Sequence, residues 1–98
     1  MNLLVTYDVS TKTKAGRRRL RRVARVCKDF GQRVQCSVFE CVVGDTEAVQ
    51  LRGRLLDEIN LKEDSLRVYH LHGGFRDDGV LERYGRDSSI DFEGPLVI

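Results

Sequence analysis

The order of hydrophobic patterns along the chain is the feature that most constrains its fold. Residues 3–5 form a short apolar run, which predicts a buried strand that ends near Asp8. Residues 15–30 place apolar side chains every three or four positions, and this spacing predicts a helix with one buried stripe. The stripe consists of Leu20, Val23, Ala24, Cys27 and Phe30. Gly31 then stands where a helix commonly ends.

The next part of the chain continues with strand, helix and strand patterns. Residues 32–43 alternate between polar and apolar but change phase near Ser37, which predicts either one strand with a bulge or two short strands. Residues 48–60 predict a second amphipathic helix, and residues 65–72 predict a further strand. Strand, helix, split strand, helix and strand is the order of the ferredoxin-like βαββαβ fold. We therefore predict the α+β class, with two helices on one face of an antiparallel sheet.

A chain of 98 residues is long enough for one hydrophobic core, and no linker divides it, so we predict a single domain over residues 1–98. Residues 75–87 are polar and rich in glycine, with a possible short strand over 80–84, and residues 90–98 are partly apolar. We expect the segment of about 75–98 to complete a sheet at a dimer interface by adding an extra C-terminal strand. The small size and the uncovered face of the sheet both predict a homodimer.

The charge is distributed unevenly along the chain. The whole sequence has a net charge of +2. Residues 1–44 contain ten Lys and Arg and three Asp and Glu, a net charge of +7, so residues 45–98 have a net charge of −5. Such a basic half favours nucleic acid as a partner, with an anionic membrane surface a distant second. No apolar run approaches the roughly 20 residues that a membrane span needs. Because no leader pattern opens the sequence, we expect a cytoplasmic protein.

The first predicted helix carries most of this positive charge. Like charges four residues apart oppose helix formation by a few tenths of a kcal/mol per pair, so an anionic partner would relieve the repulsion. Arginine forks and helix N-termini both suit phosphate oxygens. A solvated charged face is the alternative. The residues that we predict to contact a nucleic-acid backbone are Lys14, Arg17, Arg18, Arg19 and Arg22.

Asp8 is the candidate catalytic residue. A carboxylate at a strand end can hold Mg²⁺, or another divalent cation such as Mn²⁺, when water and phosphate complete the coordination shell. A single aspartate provides few ligands for a metal ion, but a two-fold axis near this strand end would bring in a second Asp8. The ion could then polarise a phosphodiester and activate water. An aspartate bonded to its own turn is the alternative.

Two further sets of residues could carry chemistry. His70 and His72 lie two apart on the last clear strand and could chelate a metal or act as acid and base, but we expect them to pack at a surface or interface. Cys27, Cys36 and Cys41 have no zinc-ribbon spacing. We expect them to be buried small hydrophobes rather than ligands, nucleophiles or disulfide partners.

Several short motifs together resemble a known family. They are Thr6-Tyr7-Asp8-Val9 at the first strand end, the arginine-rich helix, the segment from Gly31 to Glu40, and the tail Ser89-Ile90-Asp91-Phe92 with Pro95-Leu96. The chain is similar over nearly its whole length to the Cas2 family of CRISPR-associated proteins of spacer acquisition, and its compact form with this tail resembles the type I-C branch. Cys36 departs from the family, because an aromatic residue is common at this position.

The resemblance implies a ferredoxin-like homodimer in which the two Asp8 carboxylates face each other around Mg²⁺. It also implies endonuclease activity toward double-stranded DNA or RNA, and a scaffold role in which the dimer bridges copies of the CRISPR adaptation integrase. The residues carried over by motif are Tyr7, Asp8, Arg33, Ser37 and Phe39, with Ser10 as a supporting residue. Arg33 thereby joins the predicted nucleic-acid contacts.

We therefore expect a Mg²⁺-dependent endonuclease that cleaves double-stranded DNA during CRISPR adaptation. The alternative is a DNA-binding scaffold that performs no chemistry and bridges the adaptation integrase. A further alternative is an endoribonuclease that resembles an RNA-cleaving toxin.

Overall fold

A computed structural model of the chain describes residues 1–71 and 81–86. These residues form two helices and one sheet, and the elements in chain order are β1 (Asn2–Asp8), α1 (Lys14–Phe30), β2 (Gln32–Gln35), β3 (Val38–Val42), α2 (Asp45–Glu58), β4 (Ser65–Leu71) and β5 (Leu81–Gly85). The strands are antiparallel and follow the spatial order β2-β3-β1-β4-β5. The ferredoxin-like α+β fold is thus confirmed, with β5 added at the edge beside β4.

The apolar run at the N-terminus forms the centre of this sheet. Val5 of β1 pairs with Phe39 of β3 on one side and with Val68 of β4 on the other. All three side chains are at least 97% buried. Since alternate strand residues point to opposite faces, Leu3 and Tyr7 join Val5 on the face that the helices cover. Asp8 follows Tyr7 directly, so its side chain points to the other face of the sheet.

The change of phase near Ser37 corresponds to a hairpin. β2 and β3 are two short strands joined by a turn at residues 36–37, and their pairing also shifts register between Arg33 and Gln35. The alternative of two short strands is confirmed, together with an irregularity of the kind that a bulge produces.

The helices bury one face each against the sheet. In α1, Val23 and Cys27 are fully buried as predicted, while Leu20, Ala24 and Phe30 pack only partly against the core. Val26 is also buried, although the predicted stripe did not include it. The buried side of the helix is therefore turned slightly away from the predicted one. The helix predicted over residues 48–60 has its apolar face at Ala48, Leu51, Leu55, Leu56 and Ile59. All of these are buried except Leu56, which packs only partly against the core, and Ile59 lies directly after the end of α2.

Local hydrogen bonds define where α1 begins and ends. The Thr13 hydroxyl oxygen accepts the Gly16 N–H at 3.0 Å, which caps the N-terminus. The Gly31 N–H donates to the Cys27 carbonyl at 2.9 Å and ends the helix. A Cβ at Gly31 would lie 2.2 Å from the Glu40 carbonyl oxygen, so glycine is required for the close approach of β3.

The three cysteines differ in exposure. Cys27 and Cys41 are buried as predicted, and burial raises the pKa of the Cys27 thiol to about 12 and that of Cys41 to about 11. The prediction was wrong for Cys36, which is exposed because it lies in the turn between β2 and β3.

Several predictions concern parts of the chain at the C-terminal end. β5 confirms the short strand expected over residues 80–84. His72 and the apolar residues 90–98 lie outside the described residues, so the tail at a dimer interface stays a prediction. Within the described ranges, no helix has the length and apolar character needed to cross a membrane.

Candidate functional site

Asp8 is the last residue of β1 and lies on the sheet face opposite the helices. Its neighbours Tyr7 and Val9 are each only 6% exposed, whereas the Asp8 side chain is 68% exposed. Asp8 pairs with Ser65 on β4, but the pairing of β1 with β3 ends at Thr6, so the carboxylate projects beyond the end of β3. The strand alternation therefore presents this carboxylate to solvent.

A shallow depression of about 410 Å³ surrounds the Asp8 carboxylate. Arg86, the residue after β5, donates from Nη2 to Asp8 Oδ2 at 2.7 Å. The depression is lined by Asp8, Val9, Ser10, Thr11, Lys12, Glu63 and Arg86. The depression thus combines two carboxylates, the exposed Asp8 and Glu63, with an arginine and a lysine that could bind phosphate.

A single chain does not supply a complete metal site in the part of the chain that the structure describes. No group of three or more His, Cys, Asp or Glu side chains there is arranged to hold a metal ion. Asp8 offers one hard oxygen donor group of the kind that Mg²⁺ prefers, so the residues fit Mg²⁺ only if water, phosphate or a second copy completes the shell. Metal binding by Asp8 stays a prediction that depends on a dimer.

Helix α1 presents a straight line of positive charge to solvent. Lys14, Arg18, Arg21, Arg25 and Lys28 are exposed and follow one another at steps of four and three residues. Such steps keep side chains on one side of a helix, and the line is about 21 Å long at 1.5 Å per residue. The charged side chains on this line form no ion pair with any other residue that the structure describes. We call these five residues the basic line.

The predicted arginines outside the basic line have partners within the fold. Arg17 donates to the Thr11 carbonyl at 3.2 Å, and Arg22 lies 3.8 Å from Glu58. Both remain exposed and can also reach a phosphate. The phosphate contact proposed for Arg17 and Arg22 stays a prediction.

Arg19 is held in a different way from the other arginines of α1. Its Nε lies 2.9 Å from Asp64 Oδ2 and its Nη2 lies 2.9 Å from Glu63 Oε2, and the side chain is only 17% exposed. The hydrogen bond to Asp64 raises the pKa of Arg19. The guanidinium therefore has acidic partners within the fold, and the nucleic-acid contact predicted for Arg19 stays a prediction.

The supporting residues carried over by motif meet near the end of β1. The Tyr7 and Phe39 rings stack with their centroids 6.2 Å apart, and the Arg33 guanidinium lies 5.2 Å from the Phe39 ring centre. The Tyr7 N–H donates to the Ser37 carbonyl at 3.1 Å. Because Tyr7 and Phe39 are buried, they act as core residues that support the strand end, whereas Arg33 is exposed enough to contact a partner.

His70 belongs to a polar cluster between α2, β4 and β5. The Glu82 carboxylate contacts His70 Nε2 and accepts hydrogen bonds from Arg52 Nη2 at 2.8 Å and from the Tyr84 hydroxyl at 2.6 Å. Burial opposes ionisation of Glu82, but these hydrogen bonds outweigh it and lower its pKa to about 2. The contact agrees with a packing role for His70, and a metal pair with His72 stays untested.

Four charged residues near Asp8 were missed by the sequence interpretation, namely Lys12, Glu63, Asp64 and Arg86. Arg86 lies 78 positions from Asp8 in the sequence and Asp64 lies 54 positions from Ser10. Neither belongs to a local motif. Only the pairing of β4 with β1 and β5 brings them to the same end of the sheet.

The fold and this site define a small ferredoxin-like protein with an exposed strand-end carboxylate and a basic first helix. The family model described as CRISPR associated protein Cas2 matches residues 1–75, and the chain belongs to this family. The match does not distinguish the type I-C branch, which stays a prediction.

Relatives and a solved structure agree with this family. The chain is 54% identical over 98 residues to the CRISPR-associated endoribonuclease Cas2 1 of Moorella thermoacetica, with all of both chains covered. It is 44% identical over 97 residues to the CRISPR-associated endonuclease Cas2 of Halalkalibacterium halodurans, with 99% of each chain covered. The crystal structure of Streptococcus pyogenes Cas2 at pH 6.5 matches with a TM-score of 0.71 and 54% identity, covering 78% of this chain and 92% of that one.

Proposed function

We propose that the protein is an endonuclease of CRISPR adaptation that cleaves phosphodiester bonds in duplex DNA, with Mg²⁺ as its cofactor. The observation that carries the proposal is the exposed Asp8 carboxylate in a depression that also contains Arg86 and Lys12. The names of the Moorella and Halalkalibacterium relatives, an endoribonuclease and an endonuclease, support nuclease chemistry. We infer that the protein acts in the cytoplasm, where CRISPR adaptation would meet its nucleic acid.

The metal would be held by Asp8 from two copies of the chain in a homodimer. When bound, Mg²⁺ would supply Lewis-acid stabilisation of a phosphodiester oxygen and a more acidic water. Asp8 would orient the ion at the strand end, where Asp8 is paired with Ser65 of β4. Arg86 would leave the carboxylate and bind a phosphate oxygen, since a guanidinium suits both anions.

Duplex DNA is the substrate that the basic line favours. Its charges are spread over about 21 Å of one helix side, which suits a run of backbone phosphates. Binding of single strands usually relies on exposed aromatic rings, but Tyr7 and Phe39 are buried near the site. Arg33, Arg17 and Arg22 would add contacts at the edges of this surface.

Cleavage assays of an Asp8→Asn variant would test the proposal. The wild type and the variant are incubated with duplex DNA, single-stranded DNA and RNA, each with Mg²⁺ and with a chelator. We expect the wild type to cleave duplex DNA only with Mg²⁺ and Asp8→Asn to lose at least about 100-fold in rate, since the proposed ligand is removed. Asp57→Asn, which changes an exposed carboxylate on α2, is the matched control. Equal activity of Asp8→Asn and the wild type would refute the proposal.

A scaffold without chemistry is the second candidate, because no group of three or more potential metal ligands is arranged together among the residues that the structure describes. In this case the dimer would hold duplex DNA along the basic line and bridge the adaptation integrase. Duplex binding and pull-down of the integrase would then be unaffected by Asp8→Asn but weakened by Arg18→Gln with Arg21→Gln. Unchanged DNA binding in the arginine variant would count against a scaffold that uses this surface.

Cleavage of RNA is the third candidate, and the name of the Moorella relative favours it. The same assay distinguishes it, because RNA would then be cut faster than duplex DNA. Growth of a host that expresses the protein would show whether such cleavage is toxic.

A further inference from the structure

Asp64 is a buried acidic residue that neither the motifs nor the proposed chemistry account for. It lies in the turn between α2 and β4, and its side chain is 0% exposed. A buried carboxylate is costly unless hydrogen bonds and an opposite charge compensate for the loss of water. The partners of Asp64 therefore show what this residue holds in place.

The Asp64 carboxylate holds the segment that follows β1. Its Oδ1 accepts the Ser10 N–H at 3.0 Å, and its Oδ2 accepts the Asn60 N–H at 2.9 Å. Arg19 of α1 supplies the compensating charge at 2.9 Å. Burial opposes ionisation of Asp64, but these donors outweigh it and lower the pKa of the carboxyl. One carboxylate thus connects the residue two positions after Asp8 to α1 and to the end of α2.

The carboxylate of Asp64 holds the side of the depression that contains Ser10, and its backbone holds the side that contains Arg86. Its carbonyl oxygen accepts the Arg86 N–H at 2.7 Å. Gly85 has a φ of 87°, and a Cβ there would lie 2.2 Å from this carbonyl oxygen, so the turn after β5 passes directly over Asp64. Arg86 reaches Asp8 from this turn. A side chain at position 85 would push the turn away from Asp64.

We propose that Asp64 is a positioning residue for the Asp8 site, because it holds the Ser10 wall through its carboxylate and the Arg86 wall through its carbonyl. This inference rests on the proposed nuclease function. Asp64 does not touch the depression itself, and it acts by fixing the separation of Asp8 and Arg86. The basic line lies on the exposed side of α1 and is independent of this geometry.

The variant Asp64→Asn tests the inference with little change in shape. Asparagine has one acceptor oxygen where aspartate has two, so the Ser10 N–H and the Asn60 N–H cannot both keep a side-chain partner. We expect kcat to fall by about 10- to 100-fold, which is the cost of small displacements of catalytic groups. KM for the duplex should stay within about twofold, because the basic line determines binding. The matched control is Glu82→Gln, which removes the charge of a carboxylate whose arginine, histidine and tyrosine partners lie away from this site.

Amide hydrogen exchange provides a readout that does not require activity. Asp64→Asn should speed exchange at Ser10 or Asn60, whose N–H groups donate to the carboxylate, and Glu82→Gln should leave exchange at Ser10, Asn60 and Arg86 unchanged. If Asp64→Asn does not fold, Gly85→Ala serves as the second variant, since it moves the Arg86 wall without altering any charge. It should give faster exchange at Arg86 and the same loss in kcat at constant KM.

The outcomes separate this inference from the proposed function. If the wild type cleaves and the variant that folds keeps its kcat, the positioning role is refuted. Unchanged exchange at Ser10, Asn60 and Arg86 refutes it as well. If the wild type cleaves no nucleic acid, the nuclease proposal fails, and the exchange data alone decide whether Asp64 holds the two walls.

Discussion

The salt dependence of DNA binding is the prediction that the geometry of α1 makes most quantitative. Arg18 and Arg21 lie at the middle of the basic line, and both are exposed without an ion pair to another described residue. Each phosphate contact adds about 0.9 to the slope of log affinity against log salt on duplex DNA. Replacing both arginines by glutamine should therefore reduce the slope by about 1.8 for each chain that contacts the duplex.

This change in slope translates into a measurable difference in affinity. Between 50 and 200 mM salt, the wild type should lose about 12-fold more affinity than the double variant, or more if both chains of a dimer contact one duplex. Fluorescence anisotropy with a labelled duplex at several salt concentrations would measure both slopes. Asp8→Asn should not reduce the wild-type slope, because it removes no positive charge.

The control for this experiment replaces two positive charges elsewhere. Lys62 and Arg83 are exposed and lie outside α1, so Lys62→Gln with Arg83→Gln alters the net charge equally. The reasoning is refuted if the control variant lowers the slope as much as the α1 variant does. That result would mean that net charge, rather than the basic line, determines binding.

Three further predictions concern stability and reactivity. Glu82 has a pKa of about 2 in the folded protein, below its ordinary value of 4.5. It therefore stabilises the fold above about pH 4.5, and this contribution is lost as the pH falls toward 2. Urea unfolding at several pH values should show that stability depends less on acid in Glu82→Gln than in the wild type, and an unchanged dependence would contradict the assignment. Leu55→Ala should lower the free energy of unfolding by about 2–5 kcal/mol because Leu55 is fully buried, whereas exposed Val49→Ala should cost far less in the same urea titration. A thiol reagent at neutral pH should modify Cys36 alone in the folded protein and all three cysteines in urea, and rapid reaction of Cys27 would contradict the burial that raises its pKa.

The sheet could be predicted from the sequence because its strands have strong local patterns. The run at residues 3–5 and the alternation at 65–72 each place apolar residues at the spacing of a buried strand, and both became central strands, β1 and β4. The phase change near Ser37 left two alternatives, since alternation alone does not distinguish a bulge from a turn. Cys36 was expected to be buried because cysteine is among the most buried residue types, but it lies in this turn and is exposed.

The partners of charged residues could not be predicted in this way. Arg18 and Arg19 are adjacent and identical in chemistry, yet one lies on the basic line and the other is ion-paired to Asp64. Helical geometry turns consecutive side chains by about 100°, so a difference of one position decides whether an arginine faces solvent or the fold. Which acidic residue lies on that side depends on the packing of a turn 45 positions away.

The sequence by itself determined the fold class, the strand end that carries Asp8 and the positive charge of α1, because each depends on local periodicity or composition. Only the tertiary structure decided that Arg86 faces Asp8 and that Asp64 holds both walls of the depression. These contacts join segments 54 and 78 positions apart, and they arise when β4 pairs with β1 and β5. No local pattern encodes a contact between residues that meet only after the sheet has formed.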